Sequence, residues 1–307
     1  MPIVLLVVAF MSVLIPGQDR GLPEDLNGDP HAIYLYGQMM GTVQGAKSLA
    51  FESSHEMYSV KDGEKRYPSI MSYKAWLMKP NRARLEVSAL QFEPMGILVG
   101  DGEYFWSYWP NGTWFFTTAY RHTKGALEHN VYMRKRTPQG MHSLAHEICY
   151  IGTGSMSIFE LSSFHGYVES MTDYLQEIKS QGEEKVGEEL CDVIHLSFMN
   201  GQRERTLWIS KKDHIPRKLK SAIHVSYDIF IEEEWTNIRI NDQLDTELFR
   251  WQPPEGWEER QMPSPDDALL SKGDSAPNFS LRDAKDRKIS LSDYHGKPVW
   301  LMFWRVG

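Results

Sequence analysis

The feature that most constrains the fold is a long series of short apolar runs separated by turn residues. Asp62-Gly63, Pro80-Asn81 and Asp101-Gly102 each stand between two such runs, and all are residue pairs that tolerate tight-turn dihedral angles. We therefore predict an antiparallel meander in the first half of the chain and more strands in the second half. The predicted strands cover residues 51–60, 69–78, 82–87, 96–99, 104–108, 113–118, 193–199, 205–210, 217–220, 225–230 and 234–240.

Two stretches have helical rather than strand periodicity. Asp29-Pro30 is a typical helix start, and the apolar residues that follow it recur at helical spacing. A second stripe, predicted to lie across one face of the sheet, runs through residues 158–178. The sequence thus predicts an α+β fold. The two stripes are Ile33, Tyr36, Met40 and Val43, and then Ile158, Leu161, Phe164, Val168, Met171, Leu175 and Ile178.

Composition limits the class of partner. A length of 307 residues, 41% hydrophobic and 24% charged, is ordinary for a globular protein of about two domains. The chain has 33 basic and 41 acidic residues and a net charge of −8. No basic block alternates with aromatic residues as a nucleic-acid groove requires, so we exclude nucleic acid as a partner.

The N-terminal residues predict export. Residues 3–15 form an apolar run interrupted only by Ser12, which has the length of a signal-peptide core and is short for a membrane span. We assign residues 1–20 to a signal peptide or N-terminal anchor. A buried N-terminal strand is the alternative. Export predicts a periplasmic or otherwise exported protein, held at the membrane by residues 3–15 if the segment is not cleaved.

Residues 29–260 resemble the LolA/LolB-like periplasmic lipoprotein carriers. The resemblance rests on Lys79-Pro80 with Arg84-Leu85, on the apolar run, Asp-Gly turn and aromatic strand of residues 96–108, and on residues 207–217 and 249–254. It implies a strongly curved antiparallel half-barrel covered by helices, with an apolar cavity. The implied partners are an apolar ligand or lipoprotein acyl chains, together with inner- or outer-membrane components.

Most of the candidate ligand-binding residues lie in an aromatic tract within residues 29–260. Nine of the 17 residues from 104 to 120 are aromatic, and they either line the cavity or stack across two paired strands. Both alternating faces are aromatic, so the sequence leaves open which face meets a ligand. The resemblance adds Arg84, which would tie the sheet to a helical lid; a surface arginine is the alternative. The candidates are Arg84, Tyr104, Trp106, Tyr108, Trp114 and Phe116.

Other polar residues give weaker signals. Cys149 and Cys191 are either one disulfide or two separate buried thiols. His142 and His146 stand one helical turn apart, but no third ligand is evident, so we expect no metal and no cofactor. The carboxylates of residues 232–234 indicate a solvated strand face. No catalytic grouping is recognisable.

The C-terminal residues carry a second resemblance. After a linker predicted at residues 261–272, the segments Gly273–Asp283 and Ile289–Trp304 resemble the start of a peroxiredoxin or thiol-disulfide oxidoreductase (redoxin) domain, residues 273–307. In that family a cysteine site follows the buried strand that residues 299–304 match, and the chain has none there. Without the rest of a thioredoxin fold, we expect residues 299–304 to be loosely packed or exposed.

Two functions follow from these observations. The first is an exported, non-enzymatic module that binds a lipid or lipoprotein acyl chain, fused to the beginning of a redoxin domain that lacks its catalytic cysteines. The alternative is a thiol-disulfide oxidoreductase or peroxiredoxin-like antioxidant protein whose active site lies beyond the end of this chain.

Overall fold

The structure is a computed structural model, in which the chain forms two compact units, residues 1–261 and 262–307. The structure describes residues 22, 23, 25–89, 92–110, 131–136, 161–166, 171–224, 228–260, 270–283 and 285–300.

The first unit is built on one curved, mostly antiparallel, open sheet. Two meanders, β2 to β7 and β8 to β12, are joined where β12 pairs with β2, and β1 and β13 add parallel edges beside β8 and β7. This confirms the predicted fold class. The strands are β1 Asn27–Gly28, β2 Ser48–Lys61, β3 Glu64–Met78, β4 Arg82–Ala89, β5 Phe92–Gly100, β6 Tyr104–Tyr108, β7 Val131–Arg136, β8 Leu175–Val186, β9 Glu189–Phe198, β10 Arg203–Ser210, β11 Pro216–His224, β12 Asp228–Ile240 and β13 Glu258–Arg260.

Local turn chemistry explains why the strand predictions succeed. Asp62 and Gly63, between β2 and β3, both have positive φ, 55° and 77°, as a two-residue hairpin turn requires. The run predicted at residues 234–240 and the described part of the run predicted at residues 225–230 lie on one strand, β12. Residues 225–227 lie outside the described residues. The run predicted at residues 113–118 lies outside the described residues.

The first predicted helix is present as α1, Pro30–Gly45. The Asp29 carboxylate accepts a hydrogen bond from the backbone N of His31 at 2.9 Å, so the helix begins where the sequence predicts. The most buried stripe consists of Ala32, Leu35, Tyr36, Met39 and Val43, which places Ile33 and Met40 at its edge rather than at its centre.

The second predicted helix is wrong over its last residues. Leu175 and Ile178 lie in strand β8, preceded by two short 3-10 turns, Leu161–His165 and Thr172–Tyr174. A register shift between Leu175 and Glu177 interrupts the alternation of the strand, so two core residues three positions apart are both buried. The bulge therefore imitates helical spacing. Ile158 and Val168 lie outside the described residues.

Strand register assigns every residue of the sheet to one of two faces. The inner face carries Phe51 of β2 and, by continuous pairing, Ala75, Leu85 and Leu98. At the β8 end of the same face, Ile33 of α1 lies against Gly28 and Ile178, so α1 covers the inner face there. The outer face is defined by the alternate positions: Ala50, Trp76, Arg84, Trp106 and Trp208.

The second unit contains a two-stranded hairpin of β14, Ser280–Arg282, and β15, Lys288–Ser290, followed by a 3-10 turn at Leu291–Tyr294. A capping box between Ser290 and Asp293 begins that turn. Val299 and Trp300, the two described residues of the predicted buried-type strand, are 43% and 89% exposed. Their exposure agrees with the expectation that residues 299–304 do not pack.

Candidate functional site

The inner face of the sheet is apolar over most of its width. Neighbouring strands contribute side chains that are almost completely buried. The main contacts of α1 are with the 3-10 turn Leu161–His165 and with β8 and β9 at one end of the sheet. This makes the inner face the candidate ligand-binding surface. Its apolar residues include Leu49, Phe51, Leu77, Leu85, Leu98, Ile194, Leu196, Leu207 and Leu219.

A polar group interrupts this apolar surface at its centre. The Glu233 carboxylate, 1% exposed, accepts hydrogen bonds at Oε1 from Ser53 Oγ at 2.8 Å and from Trp235 Nε1 at 2.6 Å. The Tyr73 hydroxyl donates to the same oxygen. We call these four residues the Glu233 cluster. Three donors therefore converge on one oxygen of a carboxyl group that is shielded from water.

Aromatic packing holds the Glu233 cluster rigidly. The Trp235 ring stacks on Phe51 with a centroid separation of 3.7 Å, and Tyr73 meets Phe51 edge-on at 5.8 Å. Because Phe51 contacts both donors, the ring fixes their positions on either side of the carboxylate.

His55 lies directly opposite Glu233 in the β2–β12 pairing. Its side chain is 3% exposed, and neither ring nitrogen has a hydrogen-bond partner among the described residues. Burial lowers the pKa of His55 to about 4, against a weaker opposing effect of the Glu56 charge. His55 is therefore neutral at neutral pH, with one N–H donor and one acceptor nitrogen in an apolar setting.

Sequence reasoning missed this site. The carboxylates of residues 232–234 were expected to form a solvated strand face, and that expectation is wrong for Glu233, whereas Glu234 is exposed. The sequence does contain the signal: Ile231, Glu233 and Trp235 share one strand face, and a carboxylate between two large apolar residues at a spacing of two indicates burial.

Three predicted ligand residues, Tyr104, Trp106 and Tyr108, lie on the outer face and are half-buried. Trp251 packs against Trp106 and Tyr108, with ring centroids 5.4 and 5.3 Å apart. Trp257 meets Tyr108 at 4.7 Å, and burial raises the pKa of Tyr108. The Arg134 guanidinium lies over the Tyr104 and Trp106 rings, 4.6 and 5.3 Å from their centroids. Trp114 and Phe116 lie outside the described residues.

The segment that supplies Trp251 and Trp257 crosses the outer face as a C-terminal strap, residues 241–260. It begins beside β2, where the Ser48 hydroxyl donates to the carbonyl of Asp242 at 2.6 Å. Phe249 is buried against Ala50, and the strap ends as β13 beside β7. The strap therefore closes the outer face from β2 to β7.

Arg84 ties the sheet to this strap. Its Nη1 donates to the carbonyl of Leu248 at 3.0 Å, and its Nε donates to Glu86 at 2.8 Å. The expected partner was a helical lid; the structure places a 3-10 turn of the strap, Thr246–Phe249, there.

A mostly polar cavity of about 400 Å³ opens at the outer face of β2, β3 and β4. Cross-strand pairing aligns Glu52, Lys74 and Glu86 in one row of its lining, and Ser54, Ser72 and Ser88 form the next row. Such a lining does not suit an acyl chain.

The cysteine and histidine candidates give no chemical site in the described part of the chain. Cys191 is a free, fully buried thiol, and burial raises its pKa to about 11, which makes it a poor nucleophile. Among the described residues no three His, Cys, Asp or Glu side chains are grouped to hold a metal. Cys149, His142 and His146 lie outside those residues.

Solved structures of similar fold extend over most of the first unit. One is an uncharacterized conserved protein from Thermus thermophilus, 9% identical, with a TM-score of 0.41, covering 76% of this chain and 99% of its own. Another is the lipoprotein LppX of Mycobacterium tuberculosis, 12% identical, with a TM-score of 0.39, covering 71% and 99%. A LolA superfamily protein from Nitrosomonas europaea is 8% identical, with a TM-score of 0.32, covering 72% and 97%.

The C-terminal resemblance is also confirmed. Residues 272–306 match the AhpC/TSA family. Over 35 residues the chain is 51% identical to a chloroplastic peroxiredoxin Q of Oryza sativa subsp. japonica and to the thiol-disulfide oxidoreductase ResA of Bacillus subtilis (strain 168). These 35 residues are 11% of this chain and only 16% and 20% of the two relatives.

The family match covers most of the sheet unit. Residues 32–259, most of the chain, match the model described as a predicted periplasmic protein, DUF2092, in agreement with the export predicted from the sequence. In the described part of the chain, no helix has the length and apolar character that a membrane crossing demands. The chain therefore belongs to the DUF2092 family of predicted periplasmic proteins.

Proposed function

We propose that the chain is a periplasmic binding module for a lipid or a lipoprotein acyl chain, and that the ligand lies along the inner face of the sheet. The observation that carries this proposal is the extent of the apolar inner face, which continues across the sheet from β9 to β6. An acyl chain on such a surface gains about 0.8 kcal/mol per buried CH₂.

The two faces have different roles in this proposal. The outer face carries the strap and a polar cavity, so it has neither a vacant apolar surface nor a need for one. Tyr104, Trp106 and Tyr108 remain predicted ligand residues, but the contacts of Trp106 and Tyr108 with Trp251 and Trp257 favour a role of these two in holding the strap. Arg84 has the same role through the carbonyl of Leu248.

Bromine quenching tests both the binding and the face. A monoacylglycerol with a dibrominated chain quenches the fluorescence of tryptophans that it approaches, and the chain has one tryptophan of the Glu233 cluster, Trp235, on the inner face. We expect saturable quenching of the wild-type protein, a smaller quenched fraction in Trp235→Phe, and no such reduction in the outer-face control Trp106→Phe. Absence of saturable quenching in the wild type would refute the proposal, and loss confined to Trp106→Phe would assign the ligand to the outer face.

The AhpC/TSA match favours a second candidate, a redox function of a longer protein. The matched residues, 272–306, contain no cysteine, so a dithiol or peroxidatic site would have to lie in further residues of such a domain. The test is the intact mass of the protein isolated from its native cells, together with an insulin-reduction and a peroxidase assay. A mass equal to that of these 307 residues, with neither activity, would reject this candidate.

A further inference from the structure

The polar cavity on the outer face has a lining that neither candidate function uses. It measures about 400 Å³, and one row of paired residues crosses it: Glu52 of β2 faces Lys74 of β3, and Lys74 faces Glu86 of β4. Neighbouring strands lie about 4.8 Å apart, so a carboxylate, an ammonium group and a second carboxylate follow one another at that spacing. The row therefore places hydrogen-bond acceptors on either side of a donor.

Two charges of this row remain available to a ligand. Glu86 forms an ion pair with Arg84, with 2.7 Å between its Oε1 and the Arg84 Nη2. Glu52 and Lys74 are exposed, and within the described ranges of the chain neither side chain has a hydrogen bond or an ion pair, although the two face each other. Their opposite charges cancel, so the cavity offers one charged acceptor and one charged donor without a net charge that would select an ion.

Hydroxyl groups complete the lining. Ser54, Ser72 and Ser88 form the next row, one residue from each of β2, β3 and β4, and Thr236 of β12 extends the charged row. A hydroxyl group both donates and accepts hydrogen bonds. The cavity therefore matches a ligand that presents several hydroxyl groups of its own, rather than an apolar chain.

The cavity continues along β2 in both directions. Glu52 also lines an adjoining cavity of about 390 Å³ together with Trp76 and Asn237, and Ser54 also lines one of about 210 Å³. We call the three cavities together the β2 trough. It extends over residues 51–56 of β2, about 17 Å of strand. The half-buried Trp76 ring adds an apolar surface to this otherwise polar, elongated site.

We propose that the β2 trough binds a neutral oligosaccharide. Glu52 accepts hydrogen bonds from sugar hydroxyl groups, Lys74 donates to hydroxyl or ring oxygens, and the C–H face of a sugar ring packs on Trp76. An extended peptide is disfavoured because β2 and β3 are hydrogen-bonded on both sides along the trough and offer it no free edge. The site is separate from the inner face, so this assignment goes beyond the proposed binding of acyl chains and does not depend on it.

The test is isothermal titration calorimetry of the full chain with three neutral tetrasaccharides: cellotetraose, maltotetraose and N-acetylchitotetraose. We expect at least one of them to bind with a Kd of about 1 mM or tighter. Lys74→Met and Glu52→Gln should each weaken this binding about 10-fold, because each removes a charged hydrogen-bond partner. The control Lys179→Met, which replaces an exposed lysine of β8 outside the trough, should bind as the wild type does.

The outcomes also separate this site from the inner face. If none of the three tetrasaccharides binds, the assignment is overturned, and the proposed binding of acyl chains is unaffected. Equal affinity of the wild type, Lys74→Met and Glu52→Gln would place the sugar elsewhere and overturn it too. Displacement of the bound sugar by the dibrominated monoacylglycerol would show that both ligands share one site. Should one of the two variants not fold, the other decides the question.

Discussion

Acidification should destabilise the protein through His55, and the size of the effect follows from its surroundings. Burial lowers the pKa of this histidine to about 4, whereas in the unfolded chain it returns to the ordinary value near 6.5. Below pH 6.5 the unfolded state therefore binds a proton that the native state refuses until the pH approaches 4. Stability falls as the pH falls through this window.

The difference in pKa of about 2.5 units corresponds to about 3 kcal/mol of unfolding free energy once both states are protonated. About 2 kcal/mol of this is lost between pH 7 and pH 5, because the native ring is still neutral there. The nearby charge of Glu56 raises the pKa and so opposes the effect of burial, which is the larger of the two.

The assay compares urea unfolding of the wild type and His55→Leu at pH 7, 6 and 5. Other ionisable groups contribute equally to both proteins, so the difference between the two unfolding free energies isolates His55. We expect the difference to shift by about 2 kcal/mol in favour of the leucine variant from pH 7 to pH 5. The unfolding free energy of His31→Leu, in which an exposed histidine is replaced, should change with pH in the same way as that of the wild type. A difference that stays constant with pH would show that His55 is not buried in its neutral form.

Three further predictions concern packing, the Glu233 cluster and the thiol. Gly96→Ala should cost about 1–3 kcal/mol of stability, because an added Cβ would lie 2.3 Å from the Trp109 ring. The control Gly37→Ala, whose added Cβ would have nothing within 4 Å, should be stabilising. Melting temperatures of the two variants that move in the same direction would contradict this. Glu233→Leu should lower the free energy of unfolding by about 3 kcal/mol, because three donors lose their acceptor. Glu233→Gln, which keeps an acceptor, should lower it clearly less. Equal losses in urea unfolding would show that these hydrogen bonds do not stabilise the protein. Cys191, with its pKa raised to about 11, should be alkylated at pH 8 at least about 100-fold more slowly in the native than in the unfolded protein, and rapid native labelling would refute its burial.

The parts of the fold that follow from local chemistry were predictable from the sequence. The Asp29 cap determines where α1 begins, and Asp62-Gly63 determines one hairpin turn. Strand β8 was not predictable in this way, because its bulge places Leu175 and Ile178 at a helical spacing. The periodicity of apolar residues indicates which residues are buried. It identifies a strand only where the alternation of buried and exposed residues is unbroken.

The candidate site depends on register, which no local pattern contains. Glu232, Glu233 and Glu234 are chemically identical, and only the pairing of β12 with β2 places the middle one inside, opposite His55. A shift of one residue would bury Glu232 and Glu234 instead and expose Trp235. Ile231 and Trp235, two positions before and after Glu233, therefore select the register. The Glu233 carboxylate is buried because these two side chains are buried.

The same reasoning explains why the aromatic tract was ambiguous and why its position matters for function. Trp106 and Trp251 are far apart in sequence, so nothing near Trp106 shows that the strap will cover its face. Once the strap is in place, the aromatic residues of the outer face and Arg84 secure the back of the sheet from β2 to β7. The strap thus braces the sheet from behind, and the apolar side chains are gathered on the opposite, inner face. This separation of a braced back from an apolar front is the arrangement on which the proposed binding of acyl chains rests.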